Sequence, residues 1–264
     1  MSRMLGYVSR TPLTPAEALG EELLGSFVAL ADLHRDGWGH AWTGDGPGAS
    51  VTARTGLDPA REGLSDARLP RATVGLSYLR FASAGAAVVR ENLQPFVADG
   101  MAFGHNGALA PPDLAVAELS DDERSALRGT TDSEVYFALL RRGLRDGSAP
   151  IEQRVAGGVP AVRALYPEAC LNGMLIAHGA LVVVHAGGTV RPPLHRFAER
   201  GFDRETLPRG HDDGYNVLWT TVRESGARVV ATTGVDTTTW QRLEDDTVYV
   251  FSAEGGVRSA PVPS

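Results

Sequence analysis

The sequence contains no lysine: all 25 basic residues are arginine. That absence removes a Schiff-base lysine, a serine–lysine dyad and the lysine of a phosphate-binding loop from consideration. Cysteine occurs once, at Cys170, so no internal disulfide forms, and no CxxC pair or Cys/His cluster points to structural zinc. A reducing cytoplasm is therefore the expected location, with no metal and no cofactor. The N-terminus lacks the apolar run of a secretory signal, and no segment reaches the apolar length needed to span a bilayer, so no membrane partner is expected. The arginines are scattered, and with 32 acidic residues the net charge is -7, which argues against nucleic acid.

What is present is ordinary globular composition. The chain has 264 residues, 43% hydrophobic and 22% charged, enough for a sizeable core. No composition break marks a linker and no internal repeat is visible, so one compact domain over residues 1–264 fits best.

In chain order, Leu5 to Val8 reads as a short strand. Thr14-Pro15 opens a helix with proline at its first position, and Leu19, Leu23, Leu24, Phe27, Val28 and Leu30 continue it at helical spacing over about residues 15–33. Gly44-Asp45-Gly46-Pro47-Gly48 is expected to be a turn, residues 57–71 an exposed connection, and residues 151–165 a helix. Leu171 to Ala177 and Ala180 to His185 form a predicted hairpin about His178-Gly179. Three further strands are expected at Tyr215 to Val222, Ala227 to Thr232 and Thr247 to Phe251. His211, beside Asp212 and Asp213, falls in a long excursion and reads as a residue of a solvated loop, while Cys170 reads as a small buried residue. Many sequentially adjacent strands with helices between groups of them give an α+β or mixed α/β class.

Four stretches carry chemistry. Removal of Met1 would make Ser2 the N-terminal residue, and a free α-amine, with an ordinary pKa of roughly 8, can act as the general base of its own side chain. Val74 to Phe81 is a buried strand that delivers Arg80, whose partner is an internal carboxylate or a bound anion. His105-Asn106-Gly107 ends another strand: Asn-Gly reads as a hairpin turn with positive φ or as an oxyanion hole made by the Asn106 amide and the Gly107 backbone N–H, and a turn can serve as both. Thr131 and Glu134 fit a capping box, with Asp132 in the first helical turn where the helix dipole favours a carboxylate.

Taken together these stretches resemble the class II glutamine amidotransferases, members of the N-terminal nucleophile hydrolases, and especially the short stand-alone ones. The matching residues are Arg3 and Leu5-Gly6-Tyr7, His34 with Asp36-Gly37-Trp38-Gly39, Arg80, Asn92 with Pro95-Phe96, His105-Asn106-Gly107, Thr131-Asp132-Ser133-Glu134, and the segment from Val229 through Trp240 to Phe251. The resemblance implies a four-layer αββα sandwich with the nucleophile at the end of a central strand. It implies that Arg80 holds the α-carboxylate of glutamine or a γ-glutamyl substrate and Asp132 its α-ammonium, with Ser83 near the carboxylate and Phe81 also among the substrate-binding residues. Asn106 and Gly107 would then form the oxyanion hole. Any ammonia released would pass to a separate synthase; otherwise the reaction is plain hydrolysis of a γ-glutamyl amide. The departure lies at the nucleophile, where the family has cysteine and this chain has Ser2. Three readings of Ser2 stand: a working serine, a natural silencing that leaves a γ-glutamyl-binding or regulatory protein, or an engineered Cys→Ser form.

Overall fold

The computed structural model describes residues 1–44, 50–65, 69–145 and 147–263. Along the chain it comprises β1 (Arg3–Leu13), α1 (Pro15–Leu19), α2 (Glu21–Ala29), β2 (Trp38–Thr43), β3 (Val51–Gly56), α3 (Ala60–Gly63), β4 (Ala72–Leu79), β5 (Phe96–Ala98), β6 (Met101–Asn106), α4 (Asp113–Ala117) and α5 (Asp121–Ser125). Then follow α6 (Asp132–Arg145), α7 (Ile151–Leu165), β7 (Asn172–Ala177), β8 (Ala180–His185), α8 (Leu194–Ala198), β9 (Trp219–Val222), β10 (Arg228–Ala231), β11 (Gln241–Arg242), β12 (Thr247–Ser252) and β13 (Val257–Pro261).

The strands form two antiparallel sheets, one ordered β11-β9-β10-β1-β4-β2-β3 and the other β13-β12-β8-β7-β6-β5. The period of two along each strand assigns its faces. On β1, Met4 and Val8 meet Leu76 of β4 and Met174, Leu181 and Val183 of the opposite sheet. Leu5 and Tyr7 turn the other way, onto Leu19, Leu23 and Phe27 of α1 and α2. In the second sheet Phe103, Leu175, Val182 and Val250 pack against Tyr136 and Leu140 of α6 and Val155 and Val159 of α7. Helices, sheet, sheet, helices is the αββα order implied by the resemblance, and the α+β reading is borne out. Among the described residues no helix is long and apolar enough to cross a membrane.

Several elements differ from the sequence reading. The helix expected over 15–33 is broken at Gly20, which adopts φ +84 and ends α1 as it starts α2. The Thr14 cap itself forms, its hydroxyl accepting from the Glu17 N–H. Within 57–71, α3 with buried Ala60 and the buried Leu64 and Leu69 replace a wholly exposed connection. Of the turn expected at 44–48, residues 45–48 lie outside the described residues, as do 66–68 of the connection. The hairpin at Leu171 to His185 forms as expected, with His178 at φ 50 and Gly179 at φ 72 in its turn. Asn106-Gly107 is no hairpin turn: neither residue has positive φ, and Asn106 pairs with Asn172 as the last residue of β6. Tyr215 to Leu218 precede the strand expected there, which begins at Trp219.

Candidate active site

Ser2 immediately precedes β1, the central strand of its sheet, and its side chain is almost fully buried. The Ser2 Oγ accepts a hydrogen bond from the Phe81 N–H at 3.1 Å, which leaves the hydroxyl proton free to be donated. Beside it, the Asn106 amide donates to the Ser2 carbonyl oxygen at 2.6 Å. An amide nitrogen carries two hydrogens, so one donor of Asn106 stays available; its Oδ1 is buried without a partner. The Cys170 thiol donates to the Asn106 carbonyl at 3.0 Å, and burial pushes its pKa up to about 12, so it is a packed thiol with no nucleophilic character.

The segment that touches Ser2 is pinned by the Asp36-Gly37-Trp38-Gly39 stretch. Beyond the end of β4, the Arg80 N–H bonds the Gly37 carbonyl at 2.8 Å and the Arg80 carbonyl accepts from the Asp36 N–H at 3.1 Å. One carboxylate oxygen of Asp36 then accepts both the Ala82 N–H, at 2.8 Å, and the Arg200 guanidinium, at 2.6 Å. Gly37 has φ +123 and lies against Leu93 and the Gly56 carbonyl, a position that excludes a side chain. At the other wall a Cβ on Gly107 would overlap the Cys170 carbonyl oxygen and the His105 ring. That ring is fixed by Ser133 Oγ at 2.9 Å and the Cys170 carbonyl at 3.0 Å.

Arg80 is buried, one guanidinium nitrogen donating to the Ala87 carbonyl at 3.1 Å and the other, Nη1, having no partner among the described residues. Among the described residues it makes no ion pair, so the internal carboxylate that the sequence left open is not there. Asp132 opens α6 and accepts the Leu109 N–H at 2.6 Å. The capping box is only half formed: the Glu134 N–H bonds the Thr131 hydroxyl, while the Glu134 carboxylate turns to the Arg128 and Gly129 N–H groups. Tyr78, which the sequence reading passed over, ties these groups together. Its hydroxyl donates to the His105 carbonyl at 3.0 Å, feels the Ser2 side chain, Arg80 and Asp132, and is pushed upward in pKa mainly by burial. Ser2 thus touches Phe81 and Asn106, and Arg80 and Asp132 lie within electrostatic reach of the Tyr78 hydroxyl beside it. Ser83 is half-buried beyond them, and no hydrogen bond joins its hydroxyl to Arg80 among the described residues.

The residue ahead of Ser2 is also enclosed. Met1 is 9% exposed, its carbonyl accepts the Tyr215 hydroxyl at 2.7 Å, and its amine is held down to about 4 by burial first and then by the nearby charges of Arg3, Arg196 and Arg200. Arg3 is fully buried under the Tyr215 ring, 4.0 Å from its centroid, and donates to Thr233 Oγ1 at 2.6 Å.

His211 corrects the sequence reading. It lies in no solvated loop: it is fully buried, and its Nε2 stands 2.8 Å from Nε2 of His34. Both imidazoles are held well below their ordinary pKa, principally by burial and then by Arg3, so one donates and the other accepts as neutral rings. A separation of 177 residues hides this pair from any local pattern. Asp212 and Asp213 point outward as exposed residues, and no group of three or more His, Cys, Asp or Glu suited to a metal occurs among the described residues.

No curated protein matches the chain by sequence. Solved structures match its fold. The glutamine aminotransferase class-II domain protein of Silicibacter pomeroyi superposes with a TM-score of 0.61 at 17% identity, covering 99% of this chain and 100% of that one. The glutamine phosphoribosylpyrophosphate amidotransferase of B. subtilis superposes with a TM-score of 0.63 at 16% identity, over 99% of this chain but only 49% of that longer one. The sequence profile described as glutamine amidotransferases class-II matches residues 1–262, nearly the whole length, and the chain belongs to that family.

Proposed function

We propose that the protein is a γ-glutamyl amidohydrolase in which Ser2, freed by removal of Met1, is the nucleophile. What supports this reading is a buried Ser2 hydroxyl beside the Asn106 amide, with Arg80, whose Nη1 lacks a partner among the described residues, and Asp132 both within electrostatic reach of the Tyr78 hydroxyl next to Ser2. A zwitterionic α-amino acid head needs one cation and one carboxylate, and a developing oxyanion needs donors. Arg80 takes the α-carboxylate and Asp132 the α-ammonium, with Asn106 and the Gly107 N–H facing the side-chain carbonyl.

The Ser2 α-nitrogen accepts the hydroxyl proton as Oγ bonds the substrate Cδ. It then passes that proton to the departing nitrogen as the C–N bond breaks, and water hydrolyses the resulting γ-glutamyl ester to glutamate. A base must be unprotonated to accept that proton, and the nearby positive charges of Arg3, Arg196 and Arg200, which lower the Met1 amine, act in the same direction on a nitrogen one residue on. While Met1 remains attached, that nitrogen is an amide without basicity, and the mechanism is off. Ammonia or an amine leaves; whether a separate synthase consumes it lies beyond the site's own chemistry.

Glutamate release from glutamine and from a γ-glutamyl anilide, by this protein and by Ser2→Cys, tests the reading, with intact mass confirming loss of Met1. Release by the Ser2 protein is the expected result. Release by Ser2→Cys alone would mean an intact pocket with a silent serine, and release by neither would overturn the hydrolytic assignment.

A further inference from the structure

The same geometry identifies what lies on the far side of the scissile bond. A leaving nitrogen that takes its proton from the Ser2 α-amine must approach it to hydrogen-bonding distance, about 3 Å. In the structure the same nitrogen is bonded to the Met1 carbonyl carbon, so the space that Met1 fills adjoins it. Substituents on the leaving nitrogen therefore project into the space that Met1 fills. That space is built: Met1 packs among Leu33, Phe81, Cys170, Phe197 and Tyr215, with Leu194, Phe202 and Leu207 at its rim. It also holds two polar features. The Tyr215 hydroxyl, now bonded to the Met1 carbonyl, loses that acceptor when Met1 leaves. Arg196 stands over the Phe81 ring, 4.7 Å from its centroid, and its charge reaches the chain start. Its neighbour Arg200, 4.0 Å from the same ring, is neutralised by Asp36, whereas Arg196 has no ion pair among the described residues.

Resting on the hydrolase reading above, we propose that the space vacated by Met1 is the leaving-amine subsite, and that it takes an amino acid with an apolar side chain whose carboxylate is met by Arg196. The substrate class is then a γ-glutamyl dipeptide of γ-glutamyl-methionine type. Glutamine, whose leaving group is ammonia, leaves the aromatic walls uncovered and Arg196 and Tyr215 without partners.

The test uses the processed protein, its Ser2 start confirmed by intact mass, with glutamine, γ-glutamyl-methionine and γ-glutamyl-methioninamide as probes. We expect kcat/KM for γ-glutamyl-methionine to exceed that for glutamine by tenfold or more. Arg196→Ala should lower this ratio about tenfold, while the ratio for the carboxamide, which has no anion to lose, stays where it was. Equal use of glutamine and γ-glutamyl-methionine would overturn the subsite and leave the hydrolase reading standing, as would an Arg196→Ala effect as large on the carboxamide as on the acid. If no probe is hydrolysed, the hydrolase reading fails and calorimetry decides the subsite. Tenfold tighter binding of γ-glutamyl-methionine than of glutamine, lost in Arg196→Ala, upholds it, and equal or absent binding overturns it.

Discussion

Replacing His211 by Gln should flatten the acid dependence of stability by a calculable amount. His34, His40 and His211 are fully buried, and burial is the first cause of depression in each: His40 falls to about 3, His211 to about 2, and His34 well below 6.5. In the unfolded chain all three titrate near 6.5. Between those limits the unfolded state binds more protons than the folded one, so stability is fully present above pH 6.5 and is lost as pH falls through the window below it. At pH 5 the folded rings are still neutral, so the unfolded pKa alone sets the loss, about 2 kcal/mol per imidazole. Three such rings remove about 6 kcal/mol, comparable with the whole stability of a small domain. Glutamine keeps a donor and an acceptor for His34 Nε2 but carries no proton into the unfolded state. Urea unfolding followed by circular dichroism at pH 7.5 and pH 5.0 should therefore show the variant losing about 2 kcal/mol less than the parent. Every other titrating group is common to both proteins, so none of them alters the difference. An identical loss in parent and variant would refute the neutral, buried His34–His211 pair.

Gly107→Ala should lower stability by about 3 kcal/mol or prevent folding, because the added Cβ meets the Cys170 backbone carbonyl and a ring fixed at both nitrogens; an unchanged melting temperature would count against this wall of the site. Asp36→Ala removes the shared acceptor of the Ala82 N–H and the largely buried Arg200, so a loss of about 3 kcal/mol is expected by thermal or urea unfolding, together with a raised KM for glutamine as the Arg80-Phe81 segment loosens. Folded protein that retains Met1 should resist methionine aminopeptidase, since its amine is enclosed, and should lose Met1 once unfolded in urea; intact mass reads both, and rapid trimming of the folded form would contradict the burial of residue 1.

The parts legible in the sequence are those written in local periodicity. The buried strand Val74 to Phe81 appears as β4 with Arg80 just beyond its end, the Leu171 to His185 runs appear as β7 and β8, and the αββα order follows the resemblance. What escaped is held by ladders and distant contacts. The strand β13 has the exposure pattern of a surface segment and exists because it pairs with β12, and two-residue β11 exists because it pairs with β9. Asn106-Gly107 matches a hairpin signature, yet Asn106 is drawn into pairing with Asn172 on β7, so tertiary pairing overrides the turn preference. Tyr78 and Tyr215 looked like apolar positions because only their rings belong to the pattern. Their hydroxyls meet the His105 and Met1 carbonyls, contacts 27 and 214 residues apart. For Tyr78, the alternation that makes Leu76 a sheet-facing residue also aims the ring into the space between the sheets, and that signal alone was available in advance.

Under the proposed mechanism, a serine at this position gives the burial of the chain start a chemical consequence as well as a structural one. A thiol carries some thiolate near neutral pH, whereas an alcohol depends wholly on its base. In the proposed mechanism the base is the Ser2 α-nitrogen, and the charges of Arg3, Arg196 and Arg200 that help lower the Met1 amine disfavour protonation there too. The same enclosure would hinder any enzyme that must reach Met1, so the proposed processing is expected to precede the laying of β1 between β4 and β10. Under the proposed mechanism, a chain that folds with Met1 attached carries an amide in place of the proposed base and a methionine in the proposed leaving-amine space. Under the proposed mechanism one residue accounts for both, and its removal would free the proposed base and the proposed leaving-amine space together.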